Sequence, residues 1–222
     1  MKRLADDVWQ LGGFPPDAIN VYLVGDVVID AATRLAGRRI LRQLRGHAVA
    51  AHALTHAHPD HQGASHELCE TLKIPFWVGA ADVAPAEDSR LIRELQPPHP
   101  INRLSARFWA GPGHPVDRAL DEGDEVAGFE VLHTPGHAAG HVSFWRASDG
   151  ILILGDVVNS IHVLTGLPGL HEPPTFFTPD PATNRRSARR LAELEPSLVL
   201  FGHGPPLRDT RRFVDFVNGL PA

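Results

Sequence analysis

The sequence predicts an α/β protein in which two strand-rich halves pack face to face with helices outside, a four-layer αββα sandwich. Two observations suggest it. Short β-branched runs alternate with helical patterns along the chain. Each half also carries a strand cluster, a histidine-bearing loop and a helix. Periodicity alone leaves other α/β architectures open, and the motifs below decide between them. With 222 residues the chain can bury a sizeable core, and it is read as a single domain, 1–222.

The elements follow in order. Ile19 to Val24 and Val27 to Asp30 are β-rich, and Gly25-Asp26 between them makes a hairpin turn. Arg34 to Leu44 has the spacing of an amphipathic helix. Ala48 to Leu54 reads as a buried strand with His52 inside it. A helix over Ala64 to Leu72 and a strand over Ile74 to Val78 come next. A helix at Leu91 to Leu95 is stopped by Gln96-Pro97-Pro98-His99-Pro100, and Pro97 to Pro112 reads as a long connection. Phe129 to Thr134, Val142 to Arg146 and Ile151 to Leu154 are strands. Pro181 to Leu194 is a helix opened by proline, Ser197 to Phe201 a strand, and Asp209 to Val217 a closing helix.

Composition excludes several classes. The formal charge is −5 and no long basic run occurs, which disfavours nucleic acid as partner. No stretch approaches the apolar length of a membrane span. Met1-Lys2-Arg3-Leu4-Ala5-Asp6-Asp7 lacks the apolar segment of a signal peptide, and the single cysteine, Cys69, allows no internal disulfide. The expectation is a cytoplasmic protein. Its 14 histidines are roughly two to three times the usual share.

Those histidines fall in a pattern. Thr55-His56-Ala57-His58-Pro59-Asp60-His61 follows a predicted buried strand and precedes a helix. His56 and His58 are two apart, so in extended chain both side chains point one way and can grip one ion. Asp60 and His61 follow a proline turn and can face a second ion. Three later segments repeat the theme at strand exits: Thr134-Pro135-Gly136-His137, Leu154-Gly155-Asp156 and Phe201-Gly202-His203-Gly204. A carboxylate closing an apolar strand, as Asp156 does, needs compensation. Imidazole nitrogen and carboxylate oxygen suit zinc, and also hold iron or manganese.

In order and spacing these motifs resemble the metallo-β-lactamase fold superfamily, with a glyoxalase II-like set. The resemblance runs from residue 19 to 204 and includes Asp30 as the early strand-end aspartate. It implies the αββα sandwich and a binuclear site between the sheets. By that resemblance His56, His58 and His137 hold one divalent ion, Asp60, His61 and His203 hold the other, and Asp156 bridges them. A pair of such ions supplies a nucleophile from water at neutral pH, and Asp60 is the candidate catalytic residue that orients it or carries its proton. Asp30 is expected to support a loop or a ligand histidine. His52 is read as a satisfied core histidine, Cys69 as packing, and the arginines of 185–190 as a solvated face. For His141, a role in supporting a ligand or touching substrate and a plain structural role are equally open.

The substrate is less defined. The 157–180 segment contains no Lys or Arg, and a pocket lined by Leu164, Leu167, Leu170, Phe176 and Phe177 would take a neutral or apolar small molecule. Phe108 and Trp109 add to it, and the same apolar insertions leave a homodimer open. Tyr22 is the only tyrosine, unlike glutathione-recognising relatives; Asn159 stands where lactonases of the fold carry tyrosine. Asp156 argues against a true β-lactamase, and both metal positions look complete, unlike persulfide dioxygenases. The expected activity is hydrolysis of an ester, thioester or lactone. The alternatives are a phosphodiesterase, a di-iron redox protein or a non-catalytic metal-binding module.

Overall fold

The computed structural model describes residues 1–221. The chain opens with an antiparallel meander, β1 (Lys2–Ala5), β2 (Val8–Gln10), β3 (Tyr22–Val24) and β4 (Val27–Ile29). Gly25, with φ of +55°, and Asp26 make the tight turn between β3 and β4. Three parallel strands extend the same sheet, and each needs a crossover. Helix α1 (Gly37–Gln43) leads to β5 (Ala51–Ala53), α2 (Ser65–Leu72) to β6 (Phe76–Gly79). Helices α3 (Val83–Glu87), α4 (Ser89–Leu95) and α5 (Pro100–Phe108) lead to β7 (Arg118–Leu120).

The second sheet begins with β8 (Glu125–Val126), β9 (Phe129–His133), β10 (Val142–Arg146) and β11 (Ile151–Ile153), all antiparallel. A separate hairpin, β12 (Asn159–Ile161) and β13 (Pro168–His171), follows. Helix α6 (Pro181–Ala192) then returns the chain to β14 (Leu198–Leu200), parallel to β11, and α7 (Arg211–Asn218) comes after it. The large sheet has order β1 to β7, and the smaller one β14-β11-β10-β9-β8.

The layering follows from side-chain alternation. Val27, Ile29, Ile151, Ile153, Leu198 and Leu200 point into the space between the sheets, against Phe129 and Phe144. The residues between them point outward. Leu23 and Val28 meet Ile40 and Leu68 of α1 and α2. Leu152 and Val199 meet Leu191 and Phe213 of α6 and α7. Strands buried on both faces need apolar residues at every position, which is why these runs show no polar alternation. The expected αββα sandwich is the observed architecture.

Several segments form elements that the sequence reading does not assign, among them α3, β7, β8 and the β12–β13 hairpin, and two of them show why. The connection Pro97 to Pro112 contains α5, because Pro100 sits at the helix start, where no N–H is needed, and His99 Nδ1 accepts from Ile101 N–H. The prolines that stop α4 therefore start α5. The first hairpin, β1 and β2, carries charged and half-exposed residues and has no apolar run to mark it.

Candidate metal centre

Five strand ends converge at one edge of the two sheets. β4 delivers Asp30, β5 the loop of His56 to His61, β9 the His137 loop, β11 Asp156 and β14 His203. All seven residues expected at the site meet there. The atoms of His56, His58 and His137 lie within 4.8 Å of one another, as do those of Asp60, His61 and His203 and those of His56, His61 and Asp156. The ring centroids of His56, His58 and His137 are 4.5–4.8 Å apart.

Four of the five imidazoles are held from behind. His56 Nδ1 meets Thr55 Oγ1 at 3.0 Å, His61 Nδ1 meets Asp30 Oδ2 at 2.9 Å, and His137 Nδ1 meets Thr178 Oγ1 at 3.1 Å. His203 Nδ1 donates to the Ala18 carbonyl at 2.5 Å. Each ring thus turns its Nε2 inward, with its orientation fixed by the outer bond. His56 Nε2, His137 Nε2 and Asp156 Oδ1 are buried without a hydrogen-bond partner. Orphaned buried lone pairs are costly, and cations seated among these ligand groups would satisfy them. The donor set and its orphans fit divalent metal ions.

The charges divide the cluster. Burial pushes the imidazoles of His56, His58 and His137 down, His58 to about 4, so these rings are neutral. Burial acts on His203 too, but Asp156 and Asp60 outweigh it and raise it to about 10. Asp156 and Asp30 likewise outweigh burial at His61 and raise it well above the usual range. The partners are close: His203 Nε2 lies 3.0 Å from Asp156 Oδ2 and 3.4 Å from Asp60 Oδ2, and His61 Nε2 lies 3.6 Å from Asp156 Oδ1. Despite burial, both carboxyls are held below the ordinary carboxylate range.

The supports explain local sequence. Asp30 takes φ of +62°, an unusual backbone state, and from there its carboxylate accepts from Thr55 N–H at 2.8 Å and binds His61. A Cβ at Gly202 would stand 1.9 Å from Asp156 Oδ1, so only glycine lets β14 pass. Tyr22 Oη and Asn20 Nδ2 both donate to the Phe201 carbonyl, tying β3 to the His203 loop. His52 bonds the Val28 carbonyl and Ser65 Oγ, as a satisfied core histidine does. Cys69 is buried, and burial pushes its thiol up to about 12. The arginines of 185–190 are more tied than a free solvated face: Arg185 pairs with Glu172, Arg190 with Glu122.

Asp82 escaped the sequence reading. Its Oδ2 accepts from Ala57 N–H and its Oδ1 from Gly140 N–H, both at 2.7 Å, joining the first histidine loop to the third. The signal was present: an acid a few residues past the apolar strand β6, the feature that singled out Asp156.

A cavity of about 700 Å³ opens on the cluster, with His58, Asp60, His137, Asp156 and His203 in its wall. Of the five apolar residues expected to line it, Leu164 and Phe177 do. Leu170 packs on the helix layer instead, Phe176 stacks on His99, and Leu167 is solvent-exposed. The remaining apolar wall comes from Phe14, Ile19, Leu35, Ile101 and Trp109. Asn159 also lines the cavity; it is buried, and its Oδ1 has no hydrogen-bond partner among the described residues.

Comparison with known proteins agrees with this architecture. The family model of the Metallo-beta-lactamase superfamily matches residues 14–203. The chain is 34% identical to the probable metallo-hydrolase YflN of Bacillus subtilis (strain 168), over 88% of this chain and 84% of that protein. It is 29% identical to a hydroxyacylglutathione hydrolase of Chelativorans sp. (strain BNC1), over 68% of this chain and 46% of that one. Among solved structures, TTHA1623 in a di-iron-bound form superimposes with a TM-score of 0.62 at 28% identity, covering 97% of this chain and 94% of that one. The chain belongs to the metallo-β-lactamase superfamily, and it is a metallo-hydrolase of that class. Among the described residues no helix is long and apolar enough to cross a membrane.

Proposed function

We propose that the protein hydrolyses an ester, thioester or lactone with a largely apolar body at a two-metal centre. His56, His58 and His137 would hold one ion, Asp60, His61 and His203 the other, with Asp156 between them. The observation that carries this reading is that three buried atoms without a hydrogen-bond partner among the described residues, His56 Nε2, His137 Nε2 and Asp156 Oδ1, belong to the overlapping ligand groups beside a mostly apolar cavity. When bound, divalent ions supply Lewis acidity and a nucleophile drawn from water at neutral pH; zinc, iron and manganese all accept these donors.

The chain's own residues supply the rest. The Asp60 carboxylate reaches the cavity wall, where it can orient the attacking water or take its proton. The Asn159 amide can donate to the acyl oxygen as negative charge develops on it. The apolar walls seat the substrate body and exclude water. The hydroxyacylglutathione hydrolase relative supports a thioester within this range.

The test is a panel of one thioester, one lactone, one aryl ester and one phosphodiester, with the protein as purified and after chelation. Turnover of a carbonyl substrate, lost on chelation, restored by added metal and abolished in Asp60→Asn, is the expected result. Turnover of the phosphodiester alone, or of nothing by a metal-loaded protein, would overturn the proposal.

A further inference from the structure

Arg39, on α1, is the only lysine or arginine lining the cavity among the described residues. Among the described residues it has no carboxylate within 4 Å. Its Nη1 donates to the Gly12 carbonyl, which also accepts from Gln43 Nε2 at 3.0 Å. Gln43 Oε1 in turn accepts from Gly12 N–H at 2.7 Å. One side of the guanidinium is therefore clamped to a fixed stretch of backbone. Among the described residues its Nε and Nη2 have no protein acceptor. Apolar residues Phe14, Ile19, Leu35 and Ala36 line the same cavity.

A half-buried guanidinium among apolar groups is costly unless it is paired. The Nε–Nη2 edge is the planar fork that grips two oxygens of a carboxylate or phosphate. We propose that the cavity takes an amphiphilic substrate whose anionic oxyacid group, remote from the bond that is cut, is gripped by Arg39. This deepens the hydrolase reading and rests on it for the identity of the reaction. It also amends the expectation of a neutral substrate, because Arg39 comes from α1 and not from the 157–180 segment on which that expectation stood.

Two measurements test it. The first is calorimetric binding of octanoate, octyl phosphate and 1-octanol to the full-length protein and to Arg39→Gln and Arg39→Lys. Both anions should bind on the order of tenfold more tightly than the alcohol, and this advantage should collapse in Arg39→Gln and partly return in Arg39→Lys. The tighter of the two anions identifies carboxylate or phosphate as the natural group. An anion advantage that is absent, or that survives Arg39→Gln, overturns the proposal. The second is hydrolysis of an aryl ester ending in a carboxylate against its methyl-capped neutral counterpart. The ratio of their kcat/KM values should fall on the order of tenfold in Arg39→Gln; an unchanged ratio speaks against it. If neither ester is cleaved, the hydrolase reading fails while the binding result still decides the role of Arg39.

Discussion

The backbone N–H of Asp156 donates to Nε2 of His141 at 3.1 Å. An N–H can only donate, so His141 Nε2 accepts and its proton sits on Nδ1, 2.8 Å from Thr134 Oγ1. Thr134 then passes its proton toward Ser143 Oγ, which bonds the Leu154 carbonyl. Burial keeps the ring neutral, with its pKa lowered to about 3. His141 thus holds the backbone of Asp156, the geometry of a group that supports a ligand.

His141→Ala should weaken metal binding on the order of 10–100-fold, the usual cost of losing a group that orients a ligand. His141→Gln, whose carbonyl can accept the same N–H, should recover part of that loss. Titration of each variant with zinc under a competing chelator checks both. Equal behaviour of the two variants would make His141 mere packing.

Asp82 binds two backbone donors from two loops. Asp82→Ala leaves both N–H groups buried and unpaired, and should cost roughly 2–4 kcal/mol in chemical unfolding. It should also loosen the His56–His58 turn relative to His137, so the metal affinity falls with the stability. A stability loss without an affinity change would confine Asp82 to the fold.

His52 gives a pH signature away from the metal cluster. Burial lowers its pKa to about 4, while in the unfolded chain it titrates at about 6.5. Between those values the unfolded state binds more protons, so the stability from neutral His52 is complete above pH 6.5 and is lost as pH falls toward 4. The stability difference between wild type and His52→Gln should therefore shrink over that window. Denaturant midpoints at a series of pH values check it.

How much of this was legible depends on distance along the chain. His56 to His61 lie within six residues, and His137, Asp156 and His203 each announce themselves at a strand exit beside glycine or proline. Strand identity was legible where both faces are buried, as in Ile151–Ile153 and Leu198–Leu200. The cavity was not. Its wall joins Phe14, Leu35, Ile101, Trp109 and Leu164, residues from separate segments that only the packed fold brings together. Leu167 and Phe176 were placed there by composition, yet the β13 hairpin and the His99 stack carry them elsewhere. Asp82 left a signal in its place after the apolar strand β6, but its partners are backbone N–H groups of two distant loops, and only the fold brings those together.

The charge pattern of the cluster predicts proton release on metal uptake. Asp30, Asp60 and Asp156 raise the pKa of both His61 and His203, and their Nε2 atoms lie 3.3 Å apart, so the metal-free pair holds at least one proton on that side at neutral pH. A divalent ion needs their lone pairs, so binding should expel at least one proton and tighten as pH rises. Calorimetry at pH 7 in buffers of different ionisation enthalpy reads the number directly.

The most direct test is the metal content of the purified protein, by elemental analysis, for wild type, His137→Ala and His203→Ala. Two ions on these seven residues predict about two metals per chain in wild type and loss of at least one in each variant, with the circular dichroism of the fold retained. One metal or none in a folded wild-type protein supplied with zinc, iron and manganese would contradict the two-metal centre.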